Sequence, residues 1–118
     1  MPKILVADDS SFMRKVLCDL LAKNGFEDIV EAENGKQAVE KYDSEKPDLI
    51  LLDIIMPEMD GIAVLKDIVP KGAKTLVISA VGQDDIVTQA KEAGSVGYIV
   101  KPFEEKQVID EVNKVIKG

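Results

Sequence analysis

The 118-residue chain contains no histidine, and this absence removes several kinds of chemistry. Histidine-ligated metal sites, histidine general bases and a phosphohistidine carried by the chain itself are all excluded. The single cysteine, Cys18, excludes an internal disulfide, and on a helical wheel we expect it to lie away from the apolar side of its segment. No apolar run reaches the roughly 18 residues that a membrane-spanning helix requires, and the run after Lys3 is shorter than the apolar region expected of a signal peptide. We therefore expect a cytoplasmic protein.

An excess of positive charge is also missing. The chain has 22 acidic and 15 basic residues, which gives a formal net charge of −7. This balance argues against sequence-independent binding to nucleic acid or to anionic lipid, because both depend on clustered lysine and arginine. With 46% hydrophobic residues over this length, we expect one domain that spans residues 1–118.

Short apolar runs alternate with segments of helical periodicity. Short, largely apolar runs predict strands that are covered on both faces, at residues 3–7, 29–32, 48–52, 74–79 and 96–100. The segments between and after them predict five amphipathic helices, and Asn34 followed by Gln37 resembles a capping box at the start of the second. The alternation predicts an α/β fold in three layers, with helices on both faces of a five-stranded parallel sheet.

Four of the apolar runs end in chemically useful polar residues. Asp8 and Asp9 follow the first run, Asp53 follows the third, Ser79 closes the fourth and Lys101 follows the fifth. Because the carboxyl ends of parallel strands lie along one edge of a sheet, we expect these side chains to converge. Carboxylates suit a divalent cation, and an ammonium and a hydroxyl suit phosphoryl oxygens. The sequence therefore predicts a site for a metal ion and a phosphoryl group.

Each of these residues alone has a simpler interpretation. The acids before Ser10 could cap a helix, and Asp53 at a strand end could belong to a turn. A lone Ser79 or Lys101 is usually polar surface, and Tyr98 alone is usually strand packing. Their shared edge of the sheet favours a functional site.

Four segments resemble the response-regulator receiver domain. They read D-D-S-S-F-M-R from Asp8, D-I-I-M-P-E-M-D-G from Asp53, S-A-V-G-Q from Ser79 and K-P-F from Lys101. The resemblance covers the whole chain and implies a flavodoxin-like, doubly wound sheet with strand order 2-1-3-4-5. Within the family, the chain is most similar to stand-alone chemotaxis regulators.

The resemblance also implies a chemical role for each acid. Asp53 is expected to be the phosphoacceptor. A Mg²⁺ or Mn²⁺ ion is expected to bind Asp9 and Asp53 directly, Asp8 through water, and the backbone carbonyl of Ile55.

Three further residues receive roles from the same resemblance. Ser79 is expected to bond the phosphoryl group, and Lys101 is expected to form an ion pair with it. Tyr98 is expected to be the aromatic residue whose rotamer reports the switch. The peptide between Lys101 and Pro102 is expected to be cis, which proline permits at a small cost.

The function implied is a signalling switch that takes a phosphoryl group from a histidine kinase and then changes its affinity for a partner. The expected partner is a flagellar or archaellar motor switch or adaptor protein, bound through the face of helix 4, strand 5 and helix 5. A phosphatase partner is a further expectation, and we expect a monomer that catalyses only its own phosphorylation and dephosphorylation.

Three alternatives remain open. The chain could be a phosphorelay intermediate that hands its phosphoryl group onward. It could be a Mg²⁺-dependent phosphohydrolase with Asp53 as nucleophile, although Asp8 and Asp9 lack the D-x-D-x spacing of that class. It could be a flavin carrier, although no Ser/Thr-rich phosphate loop follows the first strand.

Overall fold

The computed structural model describes residues 2–57 and 59–117, in which strands and helices alternate along the chain. The strands are β1 Lys3–Ala7, β2 Asp28–Ala32, β3 Leu49–Leu52, β4 Thr75–Ser79 and β5 Gly97–Val100. The helices are α1 Ser11–Lys23, α2 Gly35–Glu45, α3 Gly61–Ile68, α4 Asp84–Glu92 and α5 Glu105–Lys117, with a 3₁₀ turn at Val69–Lys71. The five predicted strands are confirmed with ends that differ by at most one residue. None of the helices in the described ranges is long and apolar enough to cross a membrane.

All strands pair in parallel, in the order β2-β1-β3-β4-β5, which confirms the predicted topology. Successive residues of a strand face opposite sides of the sheet, so the central strands supply two cores. In β1, Ile4 and Val6 pack into a cluster with α1 and α5, whereas Leu5 and Ala7 pack into a cluster with α2, α3 and α4. The continuous apolar runs thus reflect burial on both faces of the sheet.

Three helices begin at a residue whose side chain bonds a free backbone amide. Ser10, Asn34 and Asp60 each accept a hydrogen bond from the amide three residues later, at 3.2, 2.8 and 2.9 Å. The predicted capping box at Asn34 is only half correct. The Gln37 side chain accepts its return bond from the amide of Glu33, at 3.0 Å, rather than from that of Asn34.

The predicted position of Cys18 is wrong. The side chain is half-buried and packs against the core cluster between the sheet, α1 and α5. The helical wheel missed this contact because α1 packs against α5 as well as the sheet, so its buried side is wider than one stripe. Burial raises the pKa of the Cys18 thiol to about 11, so the thiol is protonated at neutral pH.

Gly35, the first residue of α2, lies so close to the loop before α3 that no side chain fits. A Cβ atom there would lie 1.8 Å from the Met59 carbonyl oxygen. We expect Gly35→Ala to lower the free energy of unfolding by about 2 to 3 kcal/mol, because backbone must move to relieve the clash. Urea unfolding of the purified variant measures this change.

Gly82→Ala provides the matched control. Its added Cβ would lie 3.1 Å from Cγ1 of Val100, an exposed side chain that can shift. We expect this change to alter stability by less than about 0.5 kcal/mol. Equal stability of the two variants would contradict the tight contact at Gly35.

Candidate functional site

Three acids meet where β1 and β3 end side by side. Ala7 pairs with Leu52 in the sheet, and the Asp53 amide donates to the Ala7 carbonyl at 2.9 Å, which places Asp53 beside Asp8. Carboxylate oxygens of Asp8, Asp9 and Asp53 all lie within 4.8 Å of one another. Asp8 and Asp53 are 1% and 7% exposed, whereas Asp9 faces solvent. The predicted convergence of the acids is confirmed.

Lys101 reaches the same cluster from the end of β5. Its Nζ lies 2.7 Å from Asp8 Oδ2 and 3.0 Å from Asp53 Oδ2, and its side chain is only 15% exposed. One ammonium group therefore lies between two buried carboxylates. The sequence predicted that Lys101 joins the site but did not predict this shared ion pair with both acids.

The second oxygen of each buried carboxylate is held by the backbone. Asp8 Oδ1 accepts from the amide of Ser10 at 2.9 Å, and Asp53 Oδ1 accepts from the amide of Ile55 at 3.0 Å. Both contacts reach two residues along the chain, in the manner of an Asx turn. They fix the direction of the carboxylates and leave lone pairs free. The Ile55 backbone lies beside Asp53, and the part its carbonyl plays as a ligand stays a prediction.

Burial has opposite consequences for the two partners of the shortest ion pair. It raises the pKa of Asp8, and the neighbouring Asp53 charge adds to the rise, although bonds from Lys101 and Ser10 oppose it. Burial alone would lower the pKa of Lys101, but its bonds to Asp8 and Asp53 together outweigh burial and raise it. Lys101 therefore stays protonated at neutral pH, whereas burial opposes the ionisation of Asp8.

We expect Asp8→Asn to stabilise the metal-free protein at pH 7 by about 1 kcal/mol, within the usual range for single substitutions. Because the folded state binds the Asp8 proton more tightly than the unfolded chain, stability falls as the pH rises from the ordinary value of 3.8 through the raised pKa. The gain should therefore disappear near pH 3, where Asp8 is protonated in both states.

Urea unfolding in EDTA at the two pH values measures this difference. Asp9→Asn, which removes one neighbouring exposed charge, should stabilise less. If Asp8→Asn is less stable than the parent at pH 7, the ion pair with Lys101 stabilises the protein by more than burial of the Asp8 carboxylate destabilises it.

The three acids fit a magnesium ion. Oxygens that bind Mg²⁺ at about 2.1 Å lie at most about 4.2 Å apart, so the 4.8 Å cluster needs only a small contraction. Hard carboxylate oxygens, with an exposed Asp9 on the solvent side, leave room for the waters that Mg²⁺ retains. The donor set is therefore suitable for Mg²⁺, or for Mn²⁺ with the same oxygen preference.

Ser79 and Tyr98 lie on the two neighbouring strands and meet through the loop after β4. Ser79 is fully buried, and its Oγ accepts from the Val81 amide at 3.3 Å. The Tyr98 hydroxyl donates to the Val81 carbonyl, and its ring packs with the cluster under α4. Burial raises the pKa of Tyr98, and the nearby Asp53 charge adds to the rise although an interaction with the Ser79 side chain opposes it, so the Tyr98 hydroxyl remains a donor. Val81 thus connects the serine to the tyrosine.

Sequence reasoning missed one residue beside the site. Arg14 of α1 donates from Nη1 to the backbone carbonyl of Asp8 at 2.7 Å, and its Nε lies 3.1 Å from Glu31 Oε1. Its place in the D-D-S-S-F-M-R segment was the only signal available. A contact to a backbone carbonyl leaves no pattern in a single sequence.

Comparison with known proteins agrees with this geometry. The family model described as the response regulator receiver domain matches residues 4–113. The chain is 49% identical over 116 residues to the chemotaxis protein CheY of Bacillus subtilis, covering 97% of each chain. It is 46% identical over 117 residues to CheY of Thermotoga maritima, covering 98% of each.

A solved structure is also similar. The crystal structure of the CheX-CheY-BeF3-Mg²⁺ complex from Borrelia burgdorferi contains a chain that superposes with a TM-score of 0.92 at 36% identity, covering 97% of this chain and 88% of that one. Fold, site and relatives agree, and such domains act as signalling switches rather than as conventional enzymes. The chain belongs to the response-regulator receiver family and is closely related to the CheY chemotaxis regulators.

Proposed function

We propose that the chain is a phosphorylation-activated switch and that Asp53 accepts the phosphoryl group. The observation that carries this proposal is the position of the Asp53 carboxylate. It is buried beside Asp8, it is fixed by the Ile55 amide, and it lies 3.0 Å from the Lys101 ammonium. A fixed carboxylate next to a positive charge suits attack on an anionic phosphoryl donor.

In the proposed reaction, an Asp53 oxygen attacks phosphorus and the donor's leaving group departs with the electron pair of the broken bond. The product is an acyl phosphate. Because the chain has no histidine, the phosphoryl group comes from outside, and we propose a phosphohistidine on a kinase as the donor. Lys101 turns from the acids towards the phosphoryl oxygens and stabilises the charge that develops on them.

Magnesium has a defined place in this proposal. Asp9 and Asp53 would hold the ion directly, Asp8 through water, and Ile55 through its carbonyl. When bound, Mg²⁺ neutralises the acids and the incoming phosphoryl oxygens, which would otherwise repel each other.

The phosphoryl group would act on the protein through Ser79. An acyl phosphate adds about 1.5 to 2 negative charges and new acceptor oxygens at Asp53. We propose that the Ser79 hydroxyl donates to one of these oxygens, which holds the loop through Val81 and favours the inward position of Tyr98. The surface formed by α4, β5 and α5 would then change its affinity for a partner.

The relatives suggest the pathway. Because the similar proteins are named as chemotaxis proteins, we propose a chemotaxis histidine kinase as donor and a motor switch or adaptor protein as target. The B. burgdorferi complex holds CheX on CheY, and we propose that this chain binds a partner of the CheX kind. We also propose a phosphatase partner that removes the phosphoryl group.

One experiment separates a switch from a phosphohydrolase. The protein is incubated with acetyl phosphate and MgCl₂, and intact mass and released phosphate are followed over time. We expect at most one phosphoryl group per chain, loss of labelling in EDTA, and no turnover of p-nitrophenyl phosphate. Multiple turnover of that ester, or labelling that is equal in EDTA, would contradict the proposal.

A further inference from the structure

We infer that Arg14 is a positioning residue for the three-acid cluster, because it holds the peptide that joins Asp8 to Asp9. This inference rests on the proposed function, in which the cluster binds Mg²⁺. Arg14 Nη1 donates to the Asp8 carbonyl at 2.7 Å, and Nε lies 3.1 Å from Glu31 Oε1. The Arg14 side chain is only 14% exposed although it is charged, and its bond to the Asp8 carbonyl is partly buried, whereas Glu31 is exposed.

Asp9 is the acid that depends most on this contact. The Asp8 side chain is held by Ser10 and Lys101, whereas within residues 2–57 and 59–117 the Asp9 carboxylate has no hydrogen-bond partner. Its direction therefore follows from its backbone. Because a peptide unit is planar, fixing the Asp8 carbonyl also fixes the amide and Cα of Asp9. Arg14 thus fixes the backbone position from which the exposed Asp9 side chain extends.

An arginine suits this task better than a lysine. Its planar group offers donors in two directions, and here it joins α1 to the end of β1 through Asp8 and to β2 through Glu31. A lysine presents its donors from a single nitrogen on a flexible stem, so it cannot reproduce the fixed, planar separation of Nη1 and Nε. Groups that orient metal ligands typically change metal affinity by tenfold or more when they are removed.

Two roles of Arg14, its positive charge and its support of the Asp8–Asp9 peptide, predict opposite changes in Mg²⁺ affinity when the side chain is removed. A positive charge beside a cation site repels the cation, so losing the charge alone would tighten Mg²⁺ binding. Losing the support for the Asp8–Asp9 peptide would weaken it. The sign of the change therefore decides between the two.

The test is a calorimetric titration of the full chain with MgCl₂, without a phosphodonor. We expect Arg14→Ala to weaken Mg²⁺ binding about tenfold and Arg14→Lys about threefold, since lysine keeps the charge but holds the Asp8 carbonyl from a flexible stem without the planar fork. Glu31→Gln, which leaves the bond to the Asp8 carbonyl in place, should stay within about twofold of the parent. Lys15→Ala removes an exposed charge of the same helix, and it should bind Mg²⁺ as tightly as the parent or slightly more tightly.

A kinetic measurement separates positioning from general damage. With acetyl phosphate, Arg14→Ala should need more MgCl₂ for half-maximal labelling but should reach nearly the parent's rate at saturating MgCl₂. Unchanged or tighter Mg²⁺ binding in Arg14→Ala would overturn the inference. If that variant unfolds, Arg14→Lys decides, and parental affinity there overturns it. Failure of the parent itself to bind Mg²⁺ would instead refute the proposed function.

Discussion

Asp53→Asn is expected to abolish phosphoryl incorporation from acetyl phosphate. The amide has nearly the same shape as the carboxylate, so the fold and the bond from Ile55 to the side-chain oxygen can persist. An amide oxygen, however, is a poor nucleophile, and the substitution removes one of the acids that would hold Mg²⁺ in the proposed site. We expect labelling to fall by at least about a hundredfold, measured by intact mass under conditions that label the parent fully.

Asp60→Asn is the matched control for this substitution. Asp60 is exposed in the loop that follows the same strand, and an asparagine can still cap α3 as Asp60 does. This variant should be labelled as the parent is. Labelling of Asp53→Asn at a comparable rate would show that another residue accepts the phosphoryl group.

Ser79→Ala is expected to leave Asp53 open to phosphorylation while it disconnects Tyr98 from the site. The Ser79 hydroxyl is the buried group that can respond to a phosphoryl oxygen, and Val81 links it to Tyr98. One hydrogen bond to a charged group contributes about 1.5 to 3 kcal/mol, so its loss should reduce the population shift at least about tenfold. Fluorine NMR of 3-fluorotyrosine protein, with and without beryllofluoride and MgCl₂, reports this shift.

The chain supplies its own reference for that measurement. Of its two tyrosines, Tyr42 lies on α2 with its hydroxyl 3.4 Å from the Lys71 carbonyl, and its signal should not respond. Ser79→Thr keeps the hydroxyl and should retain the Tyr98 response. A full response of Tyr98 in Ser79→Ala would show that Ser79 has no part in the switch. Equal partner affinity of the phosphorylated Ser79→Ala variant and the phosphorylated parent would show the same.

The sheet could be predicted from the sequence because its three central strands, β1, β3 and β4, are buried on both faces. A run such as LILL at residues 49–52 has no polar position to interrupt it, and four of the five runs end at a polar residue that belongs to the sheet edge. Parallel pairing then placed Asp8, Asp53 and Lys101 together without any knowledge of side-chain contacts. The predicted convergence needed only the direction of the strands.

What the sequence could not give was the pairing of individual atoms. Lys101 bridges Asp8 and Asp53 because all three side chains are largely buried and the two carboxylates need a counter-charge. Arg14 bonds a backbone carbonyl, and Gly35 touches the backbone at Met59. Contacts with the backbone depend on the path of the chain in space, and single-sequence patterns do not record them.

The position of the acyl phosphate tests the central claim most directly. Protein labelled with acetyl phosphate is reduced with borohydride, which converts an aspartyl phosphate to homoserine, and its peptides are mapped by mass spectrometry. The account predicts homoserine at position 53 alone, and only when MgCl₂ was present during labelling. Homoserine at another position, or the same yield at position 53 in EDTA, would contradict it.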